Sequence, residues 1–377
     1  MRSLSHDEYL AMRRLPALDG LRAIAALMVV AFHFGGAKWS WLSGWLGVHV
    51  FFVLSGYLIT TLALREEDRK GKVSLRDFYL RRLFRIFPAY YAVLAIVVGL
   101  AWVNGNWSLF KPLMPYYLTF NNEFAGPAPF AHTWTLGIEQ KFYLVWPVLA
   151  FVLARASFGR RLGLTVAALA FLPVVVVFWQ NDPNGSWAVH YIAILLGCLV
   201  AIVLHHPRGW RLLQPLTHPV AGVVVCVLFI AVHLSIDPLM HWLAGEVSFT
   251  EKYKIVFGLY GIPVALLIPA LLGNGPGRWL LSRPLMVYIG ERSYSLYLVQ
   301  YLGHAVAIAL VPALAVDRTA TWLAAAVASV LLADLVYRYV EQPMIKLGRR
   351  VIDRRRPVPP AVEVAPPTGR ERTPAAV

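Results

Sequence analysis

Two cysteines in 377 residues, Cys198 and Cys226, provide no disulfide framework and no thiolate zinc site. Both lie inside apolar runs and are read as small packing residues. Charge is also scarce: Asp, Glu, Lys and Arg make up 15% of the chain, against roughly 25% in soluble domains. So few charged groups cannot clothe a water-soluble enzyme of this size. The acidic half is the scarcer, 20 residues against 35 basic ones, for a formal charge of +15. Such an excess often marks nucleic-acid binding. Here the basic residues fall between apolar runs rather than on one soluble face, so no nucleic-acid partner is expected. No internal repeat of motifs is visible, no metal is expected, and no soluble domain is expected at either end.

What the chain does have is apolar length, with 58% hydrophobic residues. Ten runs approach the ~20 residues needed to cross a bilayer: 18–34, 45–64, 83–103, 133–154, 162–179, 187–204, 217–234, 254–272, 285–312 and 320–340. The first is short enough to suggest a signal peptide. Its start at Leu18-Asp19-Gly20-Leu21-Arg22, and the lack of a small-residue cleavage site after Phe34, argue against cleavage. Lys and Arg in the segments before, between and after the runs number 3, 1, 7, 1, 3, 0, 2, 1, 2, 1 and 8. Positive charge is retained in the cytoplasm, so both termini are expected there. The expectation is an all-α, multi-pass protein of the plasma or inner membrane. It comprises a cytoplasmic segment 1–17, a ten-helix domain 18–347, and a disordered, basic, Pro-rich tail 348–377.

An ionisable residue inside a membrane span is costly and therefore a functional candidate. Orientation sorts these residues into two layers. Arg22 sits near the inner end of the first span, and His33 lies eleven residues on, ~16 Å at 1.5 Å per residue. His49 opens the second span from outside, with Ser55-Gly56-Tyr57 about mid-depth. His132 and Trp134 open the fourth span, with Glu139 one to two turns deeper. Arg76, Arg81, Arg82 and Arg85 precede Pro88, an expected kink. Arg82 and Arg85, three apart, present neighbouring guanidinium groups on one helix face, a fork suited to phosphate oxygens. The alternative is that they are positive-inside residues snorkelling to the interface, which is the reading adopted for Arg76 and Arg81.

His33 either fills a hydrogen-bonding role in the helix or, titrating near neutrality, deprotonates a hydroxyl. Glu139 needs a partner, such as a histidine or Lys141, or a proton. Glu291 and Arg292 are expected to pair with Asp334, Arg338 or Glu341 across two helices. His205, His206 and His218 need no role. The sequons at Asn106 and Asn184 fall on expected outer loops.

At several blocks the sequence resembles the membrane acyltransferase 3 family, of the O-antigen or polysaccharide O-acetyltransferase type. The blocks are Leu18 to Arg22 continuing to His33; Gly47-Val48-His49-Val50-Phe51-Phe52-Val53-Leu54-Ser55-Gly56-Tyr57; Arg76 to Pro88; His132-Thr133-Trp134-Thr135-Leu136 with Glu139; Gly290-Glu291-Arg292-Ser293-Tyr294-Ser295-Leu296-Tyr297; and Glu341-Gln342-Pro343. They lie in order and cover residues 14–347.

The resemblance implies an acyltransferase that moves an acyl group, most commonly acetyl, from acetyl-CoA or another acyl-CoA to a hydroxyl. The family's R-x10-H motif falls on Arg22 and His33, its R-x-x-R motif on Arg82 and Arg85, and its glutamate on Glu139. These imply His33 and Glu139 as catalytic groups and Arg22, Arg82 and Arg85 as donor-binding groups. His49, Ser55, Tyr57, His132, Trp134 and Tyr294 are weaker candidates for the acceptor or cavity wall. The SGNH-type domain of larger members is not expected here. Direct transfer is expected, with an acyl-histidine left open. The acceptor is expected to be a glycan, a glycolipid or a glycosylated small molecule, with membrane lipid as surroundings. The rival of another class is a polytopic transporter or flippase of a glycan or lipid precursor. The H-x-x-x-x-D signature of glycerolipid acyltransferases occurs at none of the eleven histidines.

Overall fold

The computed structural model describes residues 2–126, 130–154, 157–178, 187–242, 249–315 and 318–354. Among them every regular element is helical. The longer helices are α1 (Pro16–Phe34), α2 (Gly47–Lys70), α3 (Leu75–Val103), α4 (Trp134–Val148), α5 (Phe158–Phe178) and α6 (Ala188–His205), followed by α7 (Pro219–Trp242), α8 (Phe249–Leu272), α9 (Pro284–Glu291), α10 (Ser293–Leu310), α11 (Arg318–Val336) and α12 (Gln342–Asp353). A π-turn, Tyr337–Glu341, joins α11 and α12 into one rod. Among the described residues nine helices are long and apolar enough to cross a membrane: α1 to α8 and this rod. The chain is therefore an all-α multi-pass membrane protein.

Two expectations are refined. The run 285–312 is broken at Arg292 into α9 and the 18-residue α10. α10 buries polar groups, Ser293, Ser295 and Gln300, which leaves it outside the nine. Helix also continues past residue 347, where tail was expected. There Gly348 lies against Phe84 of α3, and Ile352 is buried. Residues 355–377 and the sequon at Asn184 lie outside the described residues. α3 carries Pro88 in its interior and runs unbroken over 29 residues.

The bundle closes around α2 and α6, which cross where only small residues fit. A side chain on Gly56 would strike the Ile194 carbonyl, and one on Gly197 the Val53 carbonyl. Backbones this close are how small residues pack helices where lipid offers no hydrophobic drive. The N-terminal segment is also packed. A short helix, His6–Ala11, is capped by Ser5 and Glu8 and buries Tyr9. Of the charges expected to pair across two helices, Arg292 does so, its Nε donating to Asp334 at 2.7 Å; Arg338 Nε lies 2.7 Å from the other oxygen within the same helix, Glu291 lies 3.9 Å from its neighbour Arg292, and Glu341 accepts from Ser295 Oγ at 2.8 Å. Arg81, read as an ordinary interfacial residue, pairs with Glu66 at 2.6 Å.

Candidate functional site

A cavity of about 270 Å³ lies between α1, α2, α3, α4 and α10. Each helix contributes one stripe. α2 presents Val48, Phe51, Phe52, Ser55, Leu58, Ile59 and Leu62, a three-four spacing that keeps one face inward. α4 presents Thr135, Leu136, Glu139 and Tyr143, and α10 presents Ser293, Tyr294 and Tyr297. Asp19 and Arg22 come from α1, and Arg82, Arg85 and Ile86 from α3. A second chamber of about 370 Å³ shares Asp19, Arg22, Leu62, Arg82 and Arg85, and adds Arg81, Arg349, Glu291 and Glu341. Three arginines thus stand where the two chambers meet.

Six expected site residues come together in the first chamber: Arg22, Ser55, Arg82, Arg85, Glu139 and Tyr294. Glu139 accepts a 2.6 Å hydrogen bond from Ser55 Oγ, and Tyr143 OH donates to Ser55 Oγ at 3.0 Å. Arg22 Nε donates to Ser293 Oγ at 3.1 Å. Arg82 lies over Phe78 and Tyr143, 5.5 and 5.7 Å from the ring centroids. Its Nε is buried with no hydrogen-bond partner among the described residues. An unsatisfied buried donor beside open space is costly unless a ligand supplies the acceptor. Tyr294 OH donates to the Ile86 carbonyl at 2.7 Å, bracing α10 against α3.

The expected partners of Glu139 are elsewhere. Lys141 pairs with Glu123 at 2.5 Å, because two residues along a helix point to opposite sides. His33 bonds Gln300 instead, Nδ1 to Oε1 at 3.0 Å. An amide oxygen can only accept, so Nδ1 donates and Nε2 is left as the basic nitrogen of the neutral ring. His33 shares the face of Arg22, since eleven residues make just over three whole turns. It does not line the cavity, because a layer intervenes. In that layer Thr135 Oγ1 donates to Tyr297 OH at 2.9 Å, Tyr297 OH donates to the His132 carbonyl, and Gln300 Nε2 donates to the Tyr297 carbonyl at 3.1 Å.

The remaining candidates are packed away from the cavity. Tyr57 is fully buried and meets Tyr9, OH to OH at 3.2 Å, on the face of α2 opposite Ser55. His49 faces His190 at 3.3 Å and stacks on Phe257. His132 stacks on Tyr301, with ring centroids 4.7 Å apart, and Trp134 lies 4.8 Å from the His190 ring. Tyr143 is the residue that sequence reasoning missed. Its position one helical turn after Glu139 was the available signal. Among the described residues no group of three or more His, Cys, Asp and Glu clusters as metal ligands would.

The chain matches the family described as "Acyltransferase domain" over residues 15–338 and belongs to it. Among curated proteins it is 26% identical to the peptidoglycan O-acetyltransferase OatA of Listeria monocytogenes, over 89% of this chain and 56% of that protein. It is 28% identical to YrhL of Bacillus subtilis, provisionally named a peptidoglycan O-acetyltransferase, over 91% of this chain and 57% of that one. A provisionally named O-acetyltransferase of Staphylococcus aureus is likewise 28% identical, over 92% of this chain and 60% of its own length. The chain thus spans under two thirds of the length of the curated relatives it matches. No solved structure matches it.

Proposed function

We propose that the chain is an O-acyltransferase that takes an acetyl group from acetyl-CoA and delivers it to a hydroxyl of a cell-wall glycan. The observation that carries this reading is the first chamber, where Arg22, Arg82 and Arg85 stand at one end and Glu139 lies deeper between Ser55 and Tyr143. Permanently charged, planar guanidinium groups suit the phosphates of a coenzyme A thioester. The unsatisfied Nε–H of Arg82 is an open donor for such an oxygen. Glu139 and His33 are the two proton-transfer groups. Glu139 lies in the donor chamber, while His33 meets the acceptor hydroxyl beyond the Thr135–Tyr297 layer through its free Nε2. The Lys and Arg bias supports a cytoplasmic arginine end, where acyl-CoA is made. The similarity to OatA, a peptidoglycan O-acetyltransferase, and to YrhL, provisionally named one, supports a peptidoglycan hydroxyl as the acceptor.

The test uses purified protein in nanodiscs with radiolabelled acetyl-CoA and peptidoglycan fragments, and a parallel sample with total glycan and lipid extract. Acetyl-CoA-dependent label in the peptidoglycan fraction supports the reading. Label confined to the lipid extract would replace the acceptor, and failure of acetyl-CoA to bind would remove the donor.

A further inference from the structure

Two proton-transfer groups on opposite sides of a hydrogen-bonded layer are more than a one-step transfer requires. His33 and Glu139 share no hydrogen bond, and Tyr297, Thr135 and Gln300 stand between them. On the donor side, a hydroxyl is already in place. Ser55 Oγ points its proton at Glu139 from 2.6 Å, receives a hydrogen bond from Tyr143, and lines the same chamber as the unsatisfied Nε–H of Arg82. A nucleophile, a base within hydrogen-bond reach and a hydroxyl that orients the nucleophile constitute the working parts of covalent acyl transfer. We infer that Ser55 carries the acyl group as an ester between the donor and the acceptor. This rests on the acyl-CoA reading above and replaces the direct transfer expected from sequence.

The steps balance as follows. Ser55 Oγ attacks the thioester carbonyl and passes its proton to Glu139. The tetrahedral oxyanion collapses, and the C–S bond breaks. Coenzyme A leaves as the thiolate and takes a proton from water at the arginine end. In the second step Tyr297 and Gln300 give way, and the acceptor hydroxyl reaches the Ser55 ester carbonyl from the His33 side, attacks it and gives its proton to His33 Nε2. Ser55 departs with the proton that Glu139 had held, and His33 returns its own to water. Tyr143, donating to Ser55 Oγ, is a positioning residue that fixes the lone pair used in attack. Each base then has one step, which accounts for their separation.

The experiment incubates the purified full chain with radiolabelled acetyl-CoA and no acceptor, quenches with acid, and locates the label by peptide mass spectrometry. The wild type should hold up to one acetyl group on the peptide containing Ser55, and His33→Ala should trap it there. Ser55→Ala should lose the label completely. Ser55→Cys, which keeps the shape of the site, should carry the label as a thioester cleaved by neutral hydroxylamine. Isothermal titration with acetyl-CoA runs beside each variant. Binding without label on Ser55 in both wild type and His33→Ala overturns the inference, as does label on any other residue or transfer retained by Ser55→Ala. Absence of acetyl-CoA binding in the wild type overturns instead the reading on which it rests.

Discussion

The arginine end and the histidine end of this bundle treat their polar side chains in opposite ways. At the arginine end Arg22, Arg82, Arg85, Ser55 and Glu139 face open volume, and Arg82 Nε has no partner among the described residues. At the histidine end the rings of His49, His132 and His190 are built into an aromatic wall with Phe52, Phe257, Trp134 and Tyr301. The first arrangement leaves open volume beside its unpartnered donor, and the second encloses its own unpartnered nitrogens, His49 Nδ1 and His132 Nε2, among rings. A buried polar residue in a membrane span is therefore a site only where its neighbours leave it room. His33 belongs to neither group, being half-buried, held at Nδ1 by Gln300 and basic at Nε2.

This contrast can be broken by substitution. The largest effect should come from the two bases. Glu139→Gln and His33→Ala are each expected to lower transfer to acceptor ~100-fold or more, with acetyl-CoA affinity unchanged by titration. Loss of donor affinity in either would place that residue in binding rather than proton transfer. Arg82→Ala combined with Arg85→Ala should weaken acetyl-CoA at least ~tenfold, since hydrogen bonds to charged groups are worth about 1.5–3 kcal/mol each. The loss should shrink as salt rises, and salt-independent binding would deny the arginines their phosphates. The smallest effect should be Tyr57→Phe, which removes the hydroxyl that meets Tyr9. A cost of about 1 kcal/mol in stability, measured by thermal unfolding in detergent, should leave transfer untouched. A strong drop in turnover would bring the far face of α2 into the site.

The stripe on α2 shows how much of the site was legible. Ser55 could be read as inward from the spacing of Val48, Phe51, Phe52, Leu58, Ile59 and Leu62, and the same spacing excludes Tyr57 and His49. Tyr143 was legible in the same way from Glu139. The His33–Gln300 bond was not, because it joins residues 267 apart and no local pattern encodes it. Lys141 was misread because proximity in sequence was allowed to stand for proximity on a helix face.

Apolar length alone determined that this chain is an all-α bundle in a membrane, since an unpaired backbone in hydrocarbon leaves no other economical choice. Ordered polar residues within those runs determined which helices would matter. Tertiary structure decided which of those residues share a space. The crossing of α2 on α6 at Gly56 and Gly197 and the break between α9 and α10 set the depth and rotation of the helices. Those two quantities place Ser55 against Glu139 and put a wall of tyrosine and glutamine between Glu139 and His33.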